Sequence, residues 1–324
     1  MKLSVVICTH NPRDDYLGRT LDALRQQRLP KSEWELVVID NASNPPLAGR
    51  LDLSWHPDFR LILEPEPGVI MARICGIREA RHKVIVFVDD DNALAPDYLE
   101  NSLSIAHNFP MIGAWGGQQI PEFEAEPSPA LADFLPFLAL RQFSKAQWSN
   151  YDTSMEACPF GAGMGVRAEV ARLFCEKADS RPIFLRLGRR QKSLMGGEDV
   201  DMALTSFRLG LGTGVFPELK LIHLISAWRV EPAYLFRLVA AGVYAGRLLA
   251  LLNNGKALEN RQGRLRKWVK TSLPLLNLLH RLGRLPKSPA YYKAATQGLC
   301  QAEDDYLRHQ SGKALIGVDH LYTK

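Results

Sequence analysis

The residues best suited to chemistry in this chain are carboxylates grouped in two places. Asp89-Asp90-Asp91 ends an apolar run at residues 84–88, and Glu198-Asp199-Val200-Asp201 follows Gly196-Gly197. Neighbouring carboxylates repel one another unless a cation or hydrogen-bond donors compensate. A hard divalent ion bound to a diphosphate asks for one or two protein carboxylates and leaves its other positions to phosphate and water. The triplet at the end of a rigid strand suits that task, and Asp40, which ends a second apolar run, strengthens the metal reading. The plainer alternative is a solvated acidic loop capping a helix that Pro96 opens. In the second cluster, a carboxylate on a rigid helix start is placed as a general base; the alternative there is N-terminal capping. His223 closes another apolar strand. It is either a core histidine or, beside a metal-binding triplet, a ligand that manganese-like ions accept among oxygens. Arg73 either offers a fork of donors to phosphate or a base edge, or is a surface arginine. Gly161, Gly163 and Gly165 are either close-approach positions near a substrate or tight turns. They lie far from the first strand and no suitably spaced acid follows, so they make no dinucleotide fingerprint.

The elements that must carry these residues alternate. Residues 3–8, 36–39, 61–63 and 84–88 read as buried strands, because each is a short, continuous, β-branched apolar run. Between them, Tyr16, Leu17, Leu21 and Leu24 recur at helical spacing, and Val69, Ala72, Gly76, Ile77 and Ala80 mark a second helix after Pro67-Gly68. This β-α-β alternation predicts a parallel sheet with right-handed crossovers. Ligands of such sheets sit beyond the carboxyl ends of the strands, where Thr9, Asp40 and the Asp89-Asp90-Asp91 run all fall. Further on, residues 112–118 and 219–222 read as strands, residues 121–136 as a loop or lid, and helices as starting near Ala168 and Glu198, the latter capped at its C-terminus by Gly210.

With 324 residues, 46% of them hydrophobic, the chain can build one large α/β domain and an appendage. The net charge of +5 is mildly basic and fits an anionic ligand or surface. Five cysteines, none in a C-x-x-C pair, argue against a disulfide framework or zinc site and fit a reducing compartment. The start lacks the pattern of a secretory signal, and no uninterrupted apolar run approaches the ~20 residues of a membrane span.

Taken in order, these pieces resemble family 2 glycosyltransferases of the GT-A fold, of the bacterial polysaccharide-biosynthesis type, over roughly residues 1–230. Val5-Val6-Ile7-Cys8-Thr9-His10-Asn11 is similar to that family's first strand and nucleotide loop, and residues 35–43 to its second strand. Glu66-Pro67-Gly68 with Ala72-Arg73 resembles its proline-glycine-to-Ala-Arg-Asn segment, Asp89-Asp90-Asp91 its Asp-x-Asp motif, Gly197-Glu198-Asp199 its acidic pair, and His223 a histidine that often completes its metal site. The resemblance implies that Thr9, Asp40 and Arg73 contact the nucleoside, that Asp89 lies near the ribose, that Asp91 binds Mn²⁺ or Mg²⁺ with His223, and that Asp199 is the base. Glu198 or Asp201 would orient the site or bind acceptor, with Gly163 also on the acceptor side. Ile74 departs from the pattern, where an Asn is usual, and no clear Gln-x-x-Arg-Trp motif of processive synthases is found.

The implied reaction is inverting, metal-dependent transfer of one sugar from a nucleotide-sugar, with UDP preferred, to a hydroxyl of a glycan or lipid-linked acceptor. No nucleic acid is an expected partner. A sugar-phosphate nucleotidyltransferase would want a glycine-rich triphosphate loop after the first strand, where Thr9-His10-Asn11-Pro12-Arg13 is glycine-poor. A non-catalytic nucleotide- or carbohydrate-binding module would have no need of Asp199. The expected division is a catalytic domain at 1–227 and a helical region at 228–324. Between Lys256 and Lys293, basic residues face a single acid, Glu259, and lie among Leu265, Trp268 and further leucines. That mixture suits attachment to an anionic membrane surface on the cytoplasmic side, or an ordinary helical appendage with a solvated basic face.

Overall fold

The structure is a computed structural model of the chain. It describes residues 1–151, 155–180, 182–189, 193–254 and 287–311, with the single positions 313, 315 and 317. The basic stretch 255–286, on which most of the membrane-surface expectation rests, lies outside the described residues.

The described chain forms two compact units. The first comprises Met1–Glu122, Ala139–Gln191 and Glu198–Ile225. Its elements begin with β1 (Leu3–Thr9), α1 (Asp14–Arg25), β2 (Trp34–Asn41), β3 (Phe59–Glu64), α2 (Val69–Glu79) and β4 (Val84–Asp89). They continue through β5 (Asn92–Leu94), α3 (Tyr98–Asn108), β6 (Ile112–Phe123), β7 (Gln147–Ser149), β8 (Gly165–Arg167), α4 (Ala168–Ser180), α5 (Glu198–Thr205) and β9 (Gly212–Ile225). The sheet order is β3-β2-β1-β4-β8-β6-β9-β5, with β7 added to β9. β3, β2, β1 and β4 are parallel neighbours, as the alternation predicts. Beyond β4 the sheet is mixed: β8 runs antiparallel to β4 and β6, and β9 antiparallel to β5 and β7.

Burial explains the apolar runs. Every residue of β2 is buried, and β1 and β4 are buried but for Cys8 and Asp89 near their ends. Covered on both faces, parallel strands need no polar alternation. One face of the sheet packs on α1 and α3 through Leu17, Leu24, Leu99 and Ile105, and the other on α2 and α4 through Ile74, Ile77, Val170 and Phe174. Gly76 lets α2 lie close, since a Cβ there would fall on the Val6 side chain. Gly210, with φ of +70°, closes the turn after α5 in the left-handed conformation.

The second unit comprises Phe123–Leu138, Lys192–Gly197 and Ser226–Lys324. Much of the segment expected as a loop or lid is a 3-10 helix, Pro129–Leu138. Two long helices follow, α6 (Pro232–Asn254) and α7 (Pro289–Gln310). Gly298 of α7 allows close approach to the Ala240 carbonyl of α6. Arg247 Nε donates to Glu303 at 2.6 Å and Tyr244 Oη to Asp305 at 2.9 Å, so the buried acids of α7 are matched by donors on α6. Residues Pro232–Asn253 have the length and a mean hydropathy of 1.7 that would suit a membrane span, despite Arg237 and Arg247. Burial of 61% of the most apolar window reads instead as the core helix of this unit.

Candidate functional site

Strand register sets the site. Thr9 pairs with Asp40 across β1 and β2, and Cys8 with Asp89 across β1 and β4, so three strands end side by side. Thr9 Oγ1 donates to Asp90. Asp40 is buried; its two oxygens accept the backbone N–H groups of Ser43 and Leu47 at 3.1 and 2.8 Å and so shape the loop beyond β2. Beyond β4 the chain turns sharply into β5, which pairs with β9 so that Asn92 faces His223. Asn92 is fully buried; its amide donates to Asp91 Oδ1 at 2.9 Å and orients that carboxylate. The result is a carboxylate from the turn before β5 and an imidazole from β9, with Asp91 Oδ2 3.3 Å from His223 Nε2. Among the described residues no group of three or more His, Cys, Asp or Glu side chains is arranged to hold a metal ion. A mixed O/N pair is nevertheless a sufficient protein contribution for a hard ion whose other positions go to a diphosphate, so the donor set fits Mn²⁺ or Mg²⁺.

Arg73 joins this edge to the second acidic cluster. It is not a surface arginine: 3% exposed, it lies 3.5 Å from Asp89 and 3.1 Å from Glu198 and over the ring of Phe87. Gly161 makes room for it, since a Cβ there would meet the guanidinium. The Gly161 N–H donates to Asp199 Oδ2 at 2.7 Å, and the Val200 N–H to Oδ1 at 2.8 Å. Burial disfavours the Arg73 charge, but Glu198 and Asp89 more than offset it and hold the guanidinium protonated. Burial pushes the Glu198 carboxyl up to about 7 against the pull of Arg73, with Asp199 adding to the rise. Asp89 is likewise raised by burial, opposed by Arg73. Arg73 lies among three carboxylates, and the rise of Asp89 and Glu198 shows that its pull does not fully offset their burial. Arg73 Nε and Nη1 and Glu198 Oε2 have no hydrogen-bond partner among the described residues.

Beside these strand ends lies a cleft of about 140 Å³, lined by Cys8, Thr9, His10, Asn41, Pro67, Gly68, Val69, Ala72 and Arg189. Asn41, which the sequence reading left without a role, staples the cleft wall together. Its amide oxygen accepts from Gly68 N at 2.7 Å, and its nitrogen donates to the carbonyls of Glu64 and Glu66.

A family model, glycosyl transferase family 2, matches residues 4–167, half of the chain. The chain belongs to that family. Curated relatives include glycosyltransferase AglE of Haloferax volcanii, 28% identical over 32% of this chain and 34% of its own length. Validoxylamine A glucosyltransferase of Streptomyces hygroscopicus subsp. limoneus is 30% identical over 45% of this chain and 34% of its own length. The match thus spans about a third of the length of these relatives. Among solved structures, S. aureus TarS 1-349 aligns with a TM-score of 0.51 at 13% identity, covering 97% of this chain and 92% of that one. It has been crystallised with UDP and with UDP-GlcNAc. At that identity the likeness speaks for the fold, which is GT-A.

Two residues expected on the acceptor side of this family 2 chain lie elsewhere. Asp201 is 1% exposed and forms a buried ion pair with Lys177 between α5 and α4, inside the core. Gly163, with φ of +75°, sits in a turn where its carbonyl accepts from Tyr98 Oη at 2.6 Å, and a Cβ would meet Tyr98 and Leu221. Glu198 and Asp199 do meet the carboxylate edge, through Arg73 and Gly161. Ile74, where the family pattern has Asn, is a core residue at 2% exposure and presents no polar group.

Proposed function

We propose that this chain transfers a sugar from a nucleotide-sugar, UDP-linked, to a hydroxyl of a glycan or lipid-linked acceptor, with inversion at the anomeric carbon. The observation that carries the reading is Arg73. By reaching from Asp89 to Glu198 it holds the strand-end carboxylates and the Glu198-Asp199 pair in one site. The UDP and UDP-GlcNAc complexes of S. aureus TarS, a neighbour of the same fold, support a uridine donor. The cleft beside Thr9 and Asn41 would take the nucleoside, with Asp40 shaping its loop and Asp89 near the ribose. Asp91 and His223 would hold Mn²⁺ or Mg²⁺, whose chemistry when bound is to offset charge on the leaving diphosphate. Asp199 would accept the proton of the acceptor hydroxyl. Its two backbone hydrogen bonds fix its orientation, and a carboxylate has about four lone-pair sites, so acceptor sites remain. One base opposite the leaving group implies in-line displacement, hence inversion. We place residues 1–227 as the catalytic domain and 228–324 as an acceptor-side or membrane-surface element on the cytoplasmic face.

Asp199→Asn tests the reading, because it keeps the shape and removes the basicity. With a UDP-sugar and an authentic acceptor, turnover should fall by ~10²–10⁴-fold while UDP affinity holds. Near-normal turnover would remove Asp199 from the mechanism. A chain that no nucleotide-sugar stabilises against heat and that turns none over would defeat the whole proposal.

A further inference from the structure

The cleft leaves one electrostatic problem unsolved. A diphosphate needs cationic partners, yet Arg73 is buried between two carboxylates and Ile74 offers nothing. The other polar groups of the lining are already engaged. Thr9 donates to Asp90, the Asn41 amide is spent on the cleft wall, and both ring nitrogens of His10 meet Asn41 O and Asn11. Among the described lining residues, Arg189 is the only arginine or lysine.

We propose that Arg189 grips the diphosphate of the nucleotide donor, a positioning role that rests on the reaction proposed above. Three observations fix its backbone. Leu187 is buried at 1% exposure. Gly188 lies against the first turn of α2, where a Cβ would stand 3.0 Å from Ile70 Cβ. The Arg189 carbonyl accepts the Val69 N–H at 3.0 Å, the first residue of that helix. The segment is thus locked onto α2, and Arg189, an exposed residue, is held in the lining of the cleft. Only side-chain rotamers remain to be ordered on binding, which keeps the entropic cost low. The Arg189 charge acts on both Asp89 and Glu198, lowering each, so it is felt on the acidic side of the cleft, where the leaving group would form. A planar guanidinium fork matches two phosphate oxygens at once, as an ammonium does not.

Calorimetry on the full chain separates this role from its alternatives. UDP, UMP and uridine are titrated into wild type, Arg189→Met and Arg189→Lys, each with and without Mn²⁺. Arg189→Met should weaken UDP by about 10–100-fold, the worth of hydrogen bonds to a charged group, and leave uridine unchanged. Arg189→Lys should recover part of the loss. Unchanged UDP affinity in the Met variant overturns the proposal, as does an equal loss for uridine, which would indicate a reshaped nucleoside pocket. Wild-type protein that binds neither UDP nor uridine overturns the nucleotide reading and this role together. Wild-type protein that binds both, with no loss on Arg189→Met, overturns the Arg189 role alone.

Discussion

Replacing Glu198 with Gln should change how the stability of the sheet unit depends on pH. Glu198 is 6% exposed and its carboxyl is raised from an ordinary 4.5 to about 7 by burial, which Arg73 only partly offsets. It therefore holds its proton more tightly folded than unfolded. The stability tied to that proton is fully present below about pH 4.5 and is lost as pH rises through about 7. The gap between 4.5 and about 7, at about 1.4 kcal/mol per pKa unit, corresponds to about 3 kcal/mol. Gln carries no titrating proton and lacks this contribution. The difference in unfolding free energy between wild type and Glu198→Gln should then shift by about 3 kcal/mol in favour of Gln across that window. Urea unfolding read by hydrogen exchange of β1 and β4 peptides assigns the transition to the sheet unit and not to the helical one. A flat difference would refute the reasoning, since it would mean that Arg73 fully compensates an ionised Glu198.

Two further substitutions probe the supports of the acid pair. Lys177→Met breaks the buried ion pair with Asp201 and should cost about 3–5 kcal/mol in urea unfolding, with Lys177→Met/Asp201→Leu recovering much of it. Gly161→Ala places a methyl group 2.8 Å from Arg73 Nη1. It should lower turnover more than UDP affinity in steady-state kinetics and calorimetry, because the displaced guanidinium disturbs Glu198 and the Asp199 anchor and not the cleft lining.

The parallel half of the sheet was legible because burial on both faces writes itself as continuous apolar runs, and the first charged residue after each run marks the edge. Thr9, Asp40 and Asp89 share that edge for this reason alone. The antiparallel half was less legible. β5, β7 and β8 are three residues each, too short to show a period, and are held by partners far away in sequence. Asp201 could have been separated from Asp199 beforehand. Two positions apart on a helix of 3.6 residues per turn, they point roughly 200° apart, so only one can face the site while the other enters the core. Arg73 could not have been placed, because Glu198 reaches it from a helix more than a hundred residues later and no local pattern records the meeting. The same holds for Arg189, whose position follows from the packing of Gly188 on Ile70.

The arrangement around Arg73 explains how one edge of the sheet tolerates so much negative charge before a substrate arrives. Asp89, Glu198 and Asp199 all act on a single buried guanidinium, and burial still leaves the carboxyls of Asp89 and Glu198 raised against its pull. A diphosphate entering such a site brings further negative charge, which Arg73 has no capacity left to meet. Two supplies remain open: an ion on Asp91 and His223, which would arrive with the donor, and the guanidinium of Arg189, anchored on α2. Both would act on the leaving diphosphate, while Arg73 keeps the acid pair in register with the strand ends. In that division of labour the positive charge that orders the resting site is separate from the positive charge that serves the reaction. Loss of Arg73 should therefore damage the site even without substrate, while loss of Arg189 should show chiefly in the binding of phosphate-bearing ligands.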